Sequence, residues 1–251
     1  MKRVILAAVL FTACLAWAQK PKSKGEIEAL QAVQNATTLD ARLSAIDNVL
    51  TKFTDTEYRG VLLGMALQAA QQKNDLAKVN FYAEQILEKD PKNAQAQATI
   101  AFETARRIRE FDLDKDQNLA KAEKYADLAL ANAPSMPKPQ SNITDADWEV
   151  RKKDFLSQAH EAKGMIANMR KKPDLEVQEY KAAVDVTPEP DPATVVRLGQ
   201  AYMDAGQYDE AAASFDKAIS MPNALQQVKD VAAQKKAEAL KKKAAGAPAQ
   251  K

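Results

Sequence analysis

The segment PATVVRLGQAYMDAGQYDEAAASFDKAISMPN, residues 192–223, decides the fold of this chain. Apolar residues recur in it at helical spacing, and Gly206 divides it into two halves of helical length. Gly199 and Ala211 are small enough to let two antiparallel helices approach closely, while large residues such as Phe215 fill the space beside that contact. The segment therefore predicts a tight helical hairpin.

Counted from its first proline, this segment resembles the tetratricopeptide repeat (TPR) consensus at most diagnostic positions, although its last proline comes one place early. The resemblance implies a right-handed superhelix of helical hairpins. In that family the first helix of each hairpin lines a concave face, which binds a peptide or a helix of a partner protein. The matching structural positions are Leu198, Gly199, Tyr202, Gly206, Tyr208, Ala211, Phe215, Ala218 and Pro222.

Weaker copies of the pattern lie upstream, so we expect about five hairpins in one solenoid over residues 25–243. The third is longer than the consensus between its helices, around residues 111–118, and the turn of the fourth, at residues 171–174, departs from the family pattern. A capping helix follows, with Leu225, Val228, Ala232 and Leu240 as its apolar stripe. The expected hairpins are 25–53, 58–93, 94–134, 144–188 and 192–223, with the capping helix at 224–243, a flexible start at 19–24 and a disordered tail at 244–251.

Composition supports an all-α protein. Hydrophobic residues make up 46% of the chain, but aromatic residues make up only 6%, and strong helix formers such as alanine, leucine, lysine and glutamate dominate. Runs of β-branched residues, which strands favour, are nearly absent.

The first eighteen residues predict a secretion signal. Lys2 and Arg3 precede an apolar stretch, and Ala16-Trp17-Ala18 is a small-x-small cleavage site. Two alternatives remain open at this stage: an uncleaved membrane anchor, and lipidation at Cys14. Cleavage after Ala18 would place the protein in a periplasm or outside the cell.

Cleavage would also change the chemistry of the chain. It removes the single cysteine, and with it disulfides, thiolate metal sites and cysteine nucleophiles. It leaves 34 basic residues against 34 acidic ones, so overall charge indicates no nucleic-acid partner.

The TPR resemblance also implies where a partner would bind. Carried over position by position, the contact sites of the concave face are Gln68, Gln72, Phe102, Arg106, Arg197, Gln200 and Asp204. The lysine-and-asparagine clamp of the chaperone-binding subfamily is not matched, since only Arg197 fits it. We therefore expect an exported scaffold or adaptor for a protein or peptide, with a role in cell-envelope assembly as one reading.

A calcium-binding loop is a rival interpretation. In the segment Asp112–Glu123, the residues Asp112, Asp114, Asp116 and Glu123 occupy ligand places of such a loop. The sixth place, which requires glycine, is Gln117. A solvated turn before a helix explains the acidic residues equally, because they favour a helix N-terminus.

A membrane-surface tether is another rival. The lysines at 235, 236, 241, 242 and 243 could contact anionic lipid, but they equally suit the charged face of a capping helix. No aromatic residue interleaves with them, which argues against nucleic acid. The single histidine, His160, has no second histidine or cysteine near it, and phosphate loops and nucleophile elbows are missing from the sequence. We therefore expect no enzyme activity and no cofactor.

Overall fold

The computed structural model describes residues 20–139 and 143–246. Within these ranges the chain folds into α-helices, one short 3₁₀ helix and no strand, which confirms the all-α helical-repeat class. The predicted signal peptide, with Cys14, and residues 247–251 of the predicted tail lie outside the described residues. The helices are α1 (Lys24–Asn35), α2 (Leu39–Lys52), α3 (Arg59–Gln72), α4 (Leu76–Lys89), α5 (Ala94–Ala105), α6 (Lys115–Asn132), α7 (Asp145–Met169), α8 (Pro173–Val186), α9 (Pro192–Asp204), α10 (Tyr208–Ser220) and α11 (Gln226–Ala244), with the 3₁₀ helix at Ala133–Ser135.

Short polar side chains start many of these helices. The hydroxyl of Thr144 accepts a hydrogen bond from the Asp147 amide at 3.1 Å at the start of α7. Ser23, Thr38, Asp75 and Asn93 do the same at α1, α2, α4 and α5.

Consecutive helices pack as hairpins. The pairs are α1–α2, α3–α4, α5–α6, α7–α8 and α9–α10, and α11 packs against α10. Four pairs are joined by three residues, whereas α5 and α6 are joined by residues 106–114. The extra length in the third hairpin therefore lies earlier than the sequence suggested, because the chain leaves α5 at Arg106 and α6 already begins at Lys115.

Three of the short turns share one backbone conformation. Asn74, Lys171 and Gly206 occupy the same place in their turns, with φ of 54°, 55° and 75°. In each turn, the amide that follows this residue donates to a carbonyl five residues back, at 2.8–2.9 Å. The turn at residues 171–174 therefore differs from the TPR pattern in its sequence, but its backbone has the same conformation as the turn at Gly206.

A small residue faces an aromatic ring in two of the hairpins. A Cβ added at Gly199 would lie 2.6 Å from Cε1 of Phe215, and one added at Gly164 would lie 2.9 Å from Tyr180. Both pairs are sixteen residues apart in sequence. Of the TPR-like positions in the last hairpin, Leu198, Gly199, Ala211, Phe215 and Ala218 are buried, Tyr202 and Tyr208 are partly buried, Gly206 is in the turn, and Pro222 is exposed.

The hydrophobic core runs through the whole array. Three clusters of buried residues form it, from α1 to α5, from α5 to α7, and from α8 to α11. Tyr125 packs against the first and second clusters, and Met165 against the second and third. The core is therefore continuous along the array rather than central, as stacking of repeats requires.

The apolar stripe predicted for the capping helix is partly wrong. Leu225 precedes α11 and is 73% exposed, and Leu240 is 45% exposed. The fully buried residues of α11 are Ala232 and Ala239. Two alanines allow α11 to lie close to α10, so larger apolar side chains of this helix remain outside.

Candidate partner-binding surface

The first group of expected contact residues lies on α3 and at the end of α5. Gln68 and Gln72 are exposed on α3, and Phe102 is partly buried on α5. The guanidinium carbon of Arg106 lies 5.8 Å from the centre of the Phe102 ring, in the range of a cation–π contact. An aromatic ring and a cation therefore occur together at the end of α5.

Arg106 is also held in place from two sides. Its Nη2 donates to Oε2 of Glu103 at 2.6 Å and to Oδ1 of Asn74 at 3.3 Å. The second bond joins the end of α5 to the turn after α3. Glu103 is buried and was not recognised from the sequence, because a glutamate in an alanine-rich helix looks like a solvated residue.

The second group of expected contact residues lies on α9, where Arg197 has an internal partner. Its Nη1 forms an ion pair with Oε1 of Glu161 on α7. Glu161 is only 6% exposed; burial raises its pKa, and the charge of Arg197 opposes that rise. Arg197 thus balances the charge of a buried carboxylate, and its own side chain remains partly accessible.

Gln200 and Asp204 are paired with each other one helical turn apart. Nε2 of Gln200 donates to Oδ1 of Asp204 at 2.8 Å. The pKa of Asp204 is raised because its side chain is buried. This hydrogen bond and the charges of Lys242 and Lys235 on α11 only partly oppose that rise. The lysines of the capping helix therefore lie close enough to act on this group electrostatically.

The two groups lie on successive first helices of the hairpins. Gln71 and Thr99 connect α3 to α5 at 3.5 Å, α5 packs against α7, and the Glu161–Arg197 pair connects α7 to α9. We call the solvent-accessible sides of α3, α5, α7 and α9 the odd-helix face. Phe102 lies against Arg106, and Gln200 bonds to Asp204, with α7 between α5 and α9.

A second buried glutamate near this face, Glu176 on α8, also has a raised pKa. Glu176 is 4% exposed and accepts two hydrogen bonds of 3.0 Å from Nδ2 of Asn168 on α7. Burial raises its pKa from the ordinary 4.5 to about 7; Asn168 opposes the rise and Asp204 adds to it. Because the side chain is inaccessible, Glu176 affects stability rather than contact with a partner.

The segment Asp112–Glu123 does not adopt the geometry of a calcium-binding loop. Glu123 lies inside α6 and receives two hydrogen bonds from Arg170, at 2.7 and 2.9 Å, which lower its pKa. Asp112 accepts from the Arg109 amide at 2.8 Å, and Asp114 stands at the N-cap of α6. Over residues 20–139 and 143–246, no group of three or more acidic, histidine or cysteine side chains is arranged to hold a metal ion.

The lysines of α11 dock the capping helix. Lys236 pairs with Asp216 at 2.7 Å and Lys243 with Asp209 at 2.6 Å, both on α10. Lys235 and Lys242 pair with Glu238 on α11 itself. A membrane-surface tether through this helix stays an untested prediction. Of the helices that the structure describes, none is long and apolar enough to cross a membrane.

His160 contacts a carboxylate of the neighbouring helix. Its Nδ1 lies 2.7 Å from Oε2 of Glu179 on α8, and Nζ of Lys163 lies 3.7 Å from the other oxygen of the same carboxylate. These contacts join α7 to α8.

Comparison with known proteins identifies the fold. No family model and no curated protein sequence matches the chain. Among solved structures, it is similar to the crystal structure of PilW, a widely conserved type IV pilus biogenesis factor. The TM-score is 0.52 over 87% of this chain and 89% of PilW, at 17% sequence identity. At that identity the likeness concerns the fold, and this chain is therefore a helical-repeat protein with a PilW-like, TPR-like architecture.

Proposed function

We propose that this protein is an exported, non-catalytic scaffold that binds a protein or peptide partner through the odd-helix face, in the assembly of a cell-envelope structure. The repeat fold supports a binding role, because stacked hairpins present long continuous surfaces. The envelope setting is supported by the signal-like segment at residues 1–18 and by the similarity of fold to a pilus biogenesis factor.

The observation that carries this proposal is the Phe102–Arg106 pair. Aromatic and arginine side chains dominate binding energy at protein interfaces, and they contribute most when they are pre-ordered. Here Glu103 and Asn74 fix the guanidinium against the ring, so little rotamer freedom remains to be lost on binding. Gln68 and Gln72 add exposed amides, with donors and acceptors, on the preceding first helix α3.

Photo-crosslinking in the native cell tests this proposal. A photoreactive residue placed at Gln72 or Phe102 should capture a discrete protein, whereas the same residue at Ala131 on α6 or Ala213 on α10 should not. All four positions are at least partly accessible, and the two controls lie on second helices of hairpins. Capture from the control positions alone would refute the odd-helix face as the binding surface.

Arg197 is a poor position for that probe, although it belongs to the expected contact residues. Its removal would leave Glu161 buried without its charge partner, so loss of crosslinking there could reflect unfolding.

A further inference from the structure

A cleft of about 290 Å³ lies between α2 and α4, the second helices of the first two hairpins. Leu50 and Tyr82 are buried and form its apolar base, while Phe81 stands at its edge with 53% of its surface exposed. Arg59, the first residue of α3, and Lys78 on α4 complete the lining with two positive charges.

The two cations of this cleft face a single carboxylate. Asp47 already accepts a hydrogen bond from the Tyr82 hydroxyl at 2.8 Å. Nζ of Lys78 is 3.8 Å from its other oxygen, which is too far for a hydrogen bond. Nη2 of Arg59 donates to the neutral amide of Gln85 at 2.9 Å. The residues that line the cleft therefore carry one more positive than negative charge, and the ammonium group of Lys78 makes no hydrogen bond to Asp47.

Two lysines at other helix contacts each lie close to at least one carboxylate of a neighbouring helix. Lys121 pairs with Glu84 between α6 and α4 at 3.3 Å, and Lys163 pairs with Asp127 between α7 and α6 at 2.8 Å. The α2–α4 cleft differs because Arg59 adds a second cation without a second acid. This difference gives the cleft a preference for an anion.

The size of the cleft limits what it can hold. Pockets for small molecules run from about 300 to 1,000 Å³, so a cleft of this volume holds about one amino-acid residue. Its base and edge suit an apolar side chain, and its cations suit a carboxylate. A chain's C-terminal residue carries both groups at once, whereas an internal acidic residue has a carboxylate in place of the apolar side chain.

We propose that this cleft binds the C-terminal residue of a peptide or protein. The apolar side chain of that residue lies against Phe81 and Leu50, and its free carboxylate lies between Arg59 and Lys78. The site shares with the odd helices only Arg59, at the start of α3, and stands whether or not the odd-helix face binds a partner.

Titration of the ¹⁵N-labelled protein with three short peptides tests this site by NMR. The first is acetyl-Gly-Ser-Leu with a free carboxylate, the second is its C-terminal amide, and the third is the amide of acetyl-Asp-Ser-Leu. The free acid should shift the backbone amides of Thr51, Arg59 and Gln85. Both amides should bind about tenfold more weakly, the loss expected for one hydrogen-bonded charge contact.

Variants then separate the two halves of the site. Arg59→Gln, or Lys78→Gln if that variant folds better, should remove most of the difference between the free acid and its amide. Phe81→Ser should weaken both equally. Lys121→Gln and Phe111→Ser, a matched lysine and a matched exposed phenylalanine, should change neither. The assignment would be overturned if the unmodified protein bound the free acid and its amide equally. It would also be overturned if the aspartate peptide bound as well as the free acid, or if the shifts were confined to other helices.

Discussion

The α7–α8 and α9–α10 hairpins have the same construction but very different sequences. Each has a three-residue turn with a positive φ at its middle residue, and each places an aromatic ring against a glycine sixteen residues earlier. Only α9–α10 carries a glycine in the turn and a full set of TPR-like residues. The glycine–aromatic contact is shared although the turn residue differs, so we infer that this contact sets how closely the helices approach and that the residue in the turn is secondary.

The two hairpins also differ in what they bury. Between them, α7 and α8 bury three glutamates, Glu161, Glu176 and Glu179, whereas the buried polar residues of α9 and α10 are Thr194 and Ser214. Buried acids cost free energy unless they are paired or hydrogen-bonded. The α7–α8 hairpin should therefore depend on its neighbours and on pH more than α9–α10 does.

Removal of the charge partner of Glu161 should have the largest effect. Arg197→Met leaves a buried carboxylate unpaired, and we expect a loss of about 3 kcal/mol in the free energy of unfolding, at the low end for buried pairs because Arg197 is partly exposed. Urea denaturation at pH 7.5 would measure this.

A matched control and a rescue sharpen that result. Lys181→Met removes an ion pair with Asp185 that is exposed at both ends, and should leave the free energy of unfolding nearly unchanged. Adding Glu161→Gln to Arg197→Met should recover most of the loss. If the double variant is no more stable than Arg197→Met alone, the Arg197 side chain stabilises the array through packing and not through charge.

Glu176 should make the α7–α8 hairpin sensitive to pH. Its pKa is about 7 in the folded protein against an ordinary 4.5, so the folded state holds a proton that the unfolded state has released. The bound proton therefore stabilises the folded state, with the contribution fully present below the unfolded pKa of 4.5. That contribution is lost as pH rises through the folded pKa of about 7. Glu176→Gln should therefore increase stability by about 2 kcal/mol at pH 8 and have little effect at pH 4.5.

Chemical denaturation of both proteins at pH 4.5, 6 and 8 measures the difference. Glutamine can still accept a hydrogen bond from Asn168, so the variant removes the charge without removing the contact. An increase in stability that is the same at all three pH values would contradict a titrating Glu176.

The glycine–aromatic contacts give a direct comparison of the two hairpins. Gly199→Ala places a methyl group 2.6 Å from the Phe215 ring, and Gly164→Ala places one 2.9 Å from Tyr180. Overpacking costs about 1–3 kcal/mol, and the higher helix propensity of alanine offsets up to about 1 kcal/mol of it. We expect a net loss of about 1–2 kcal/mol at Gly199 and a smaller loss at Gly164.

Gly64, inside α3, is the control, because nothing lies within 4 Å of a Cβ added there. Gly64→Ala should stabilise the protein by up to about 1 kcal/mol. Equal thermal midpoints for all three alanine variants would show that the helices separate freely and that the contact does not set their distance.

Sequence patterns predicted the helices better than the boundaries between them. The last hairpin could be predicted because its small and large residues recur at repeat spacing. The α5–α6 connection was placed too late, since the buried Ile108 continues the apolar pattern of α5 although the chain has already left the helix at Arg106. The side chains that follow, Phe111 and Leu113, are almost fully exposed, which apolar spacing cannot reveal.

The contacts around the candidate surface were only partly predictable. Position in the repeat suggested Arg197, but its partner Glu161 looked like an ordinary solvated residue of α7. One signal was available: Glu161 and Arg197 are 36 residues apart, as are Asp127 and Lys163. The first pair joins the equivalent helices α7 and α9, whereas the second joins α6 to α7, so opposite charges at about one-repeat separation mark contacts between successive hairpins.

The turn residues should have the smallest effect and give the most direct test of the comparison. Lys171 adopts φ of 55°, which costs a residue with a Cβ about 1 kcal/mol, whereas Gly206 adopts φ of 75° freely. Lys171→Gly should therefore stabilise the protein by up to about 1 kcal/mol, and Gly206→Lys should destabilise it by a similar amount. The ion pair of Lys171 with Glu110, at 3.8 Å and largely exposed, contributes little to offset this. Thermal midpoints of both variants measure the pair of effects. If both variants are destabilised, the lysine does more in its turn than tolerate the conformation, and the two hairpins are not equivalent there.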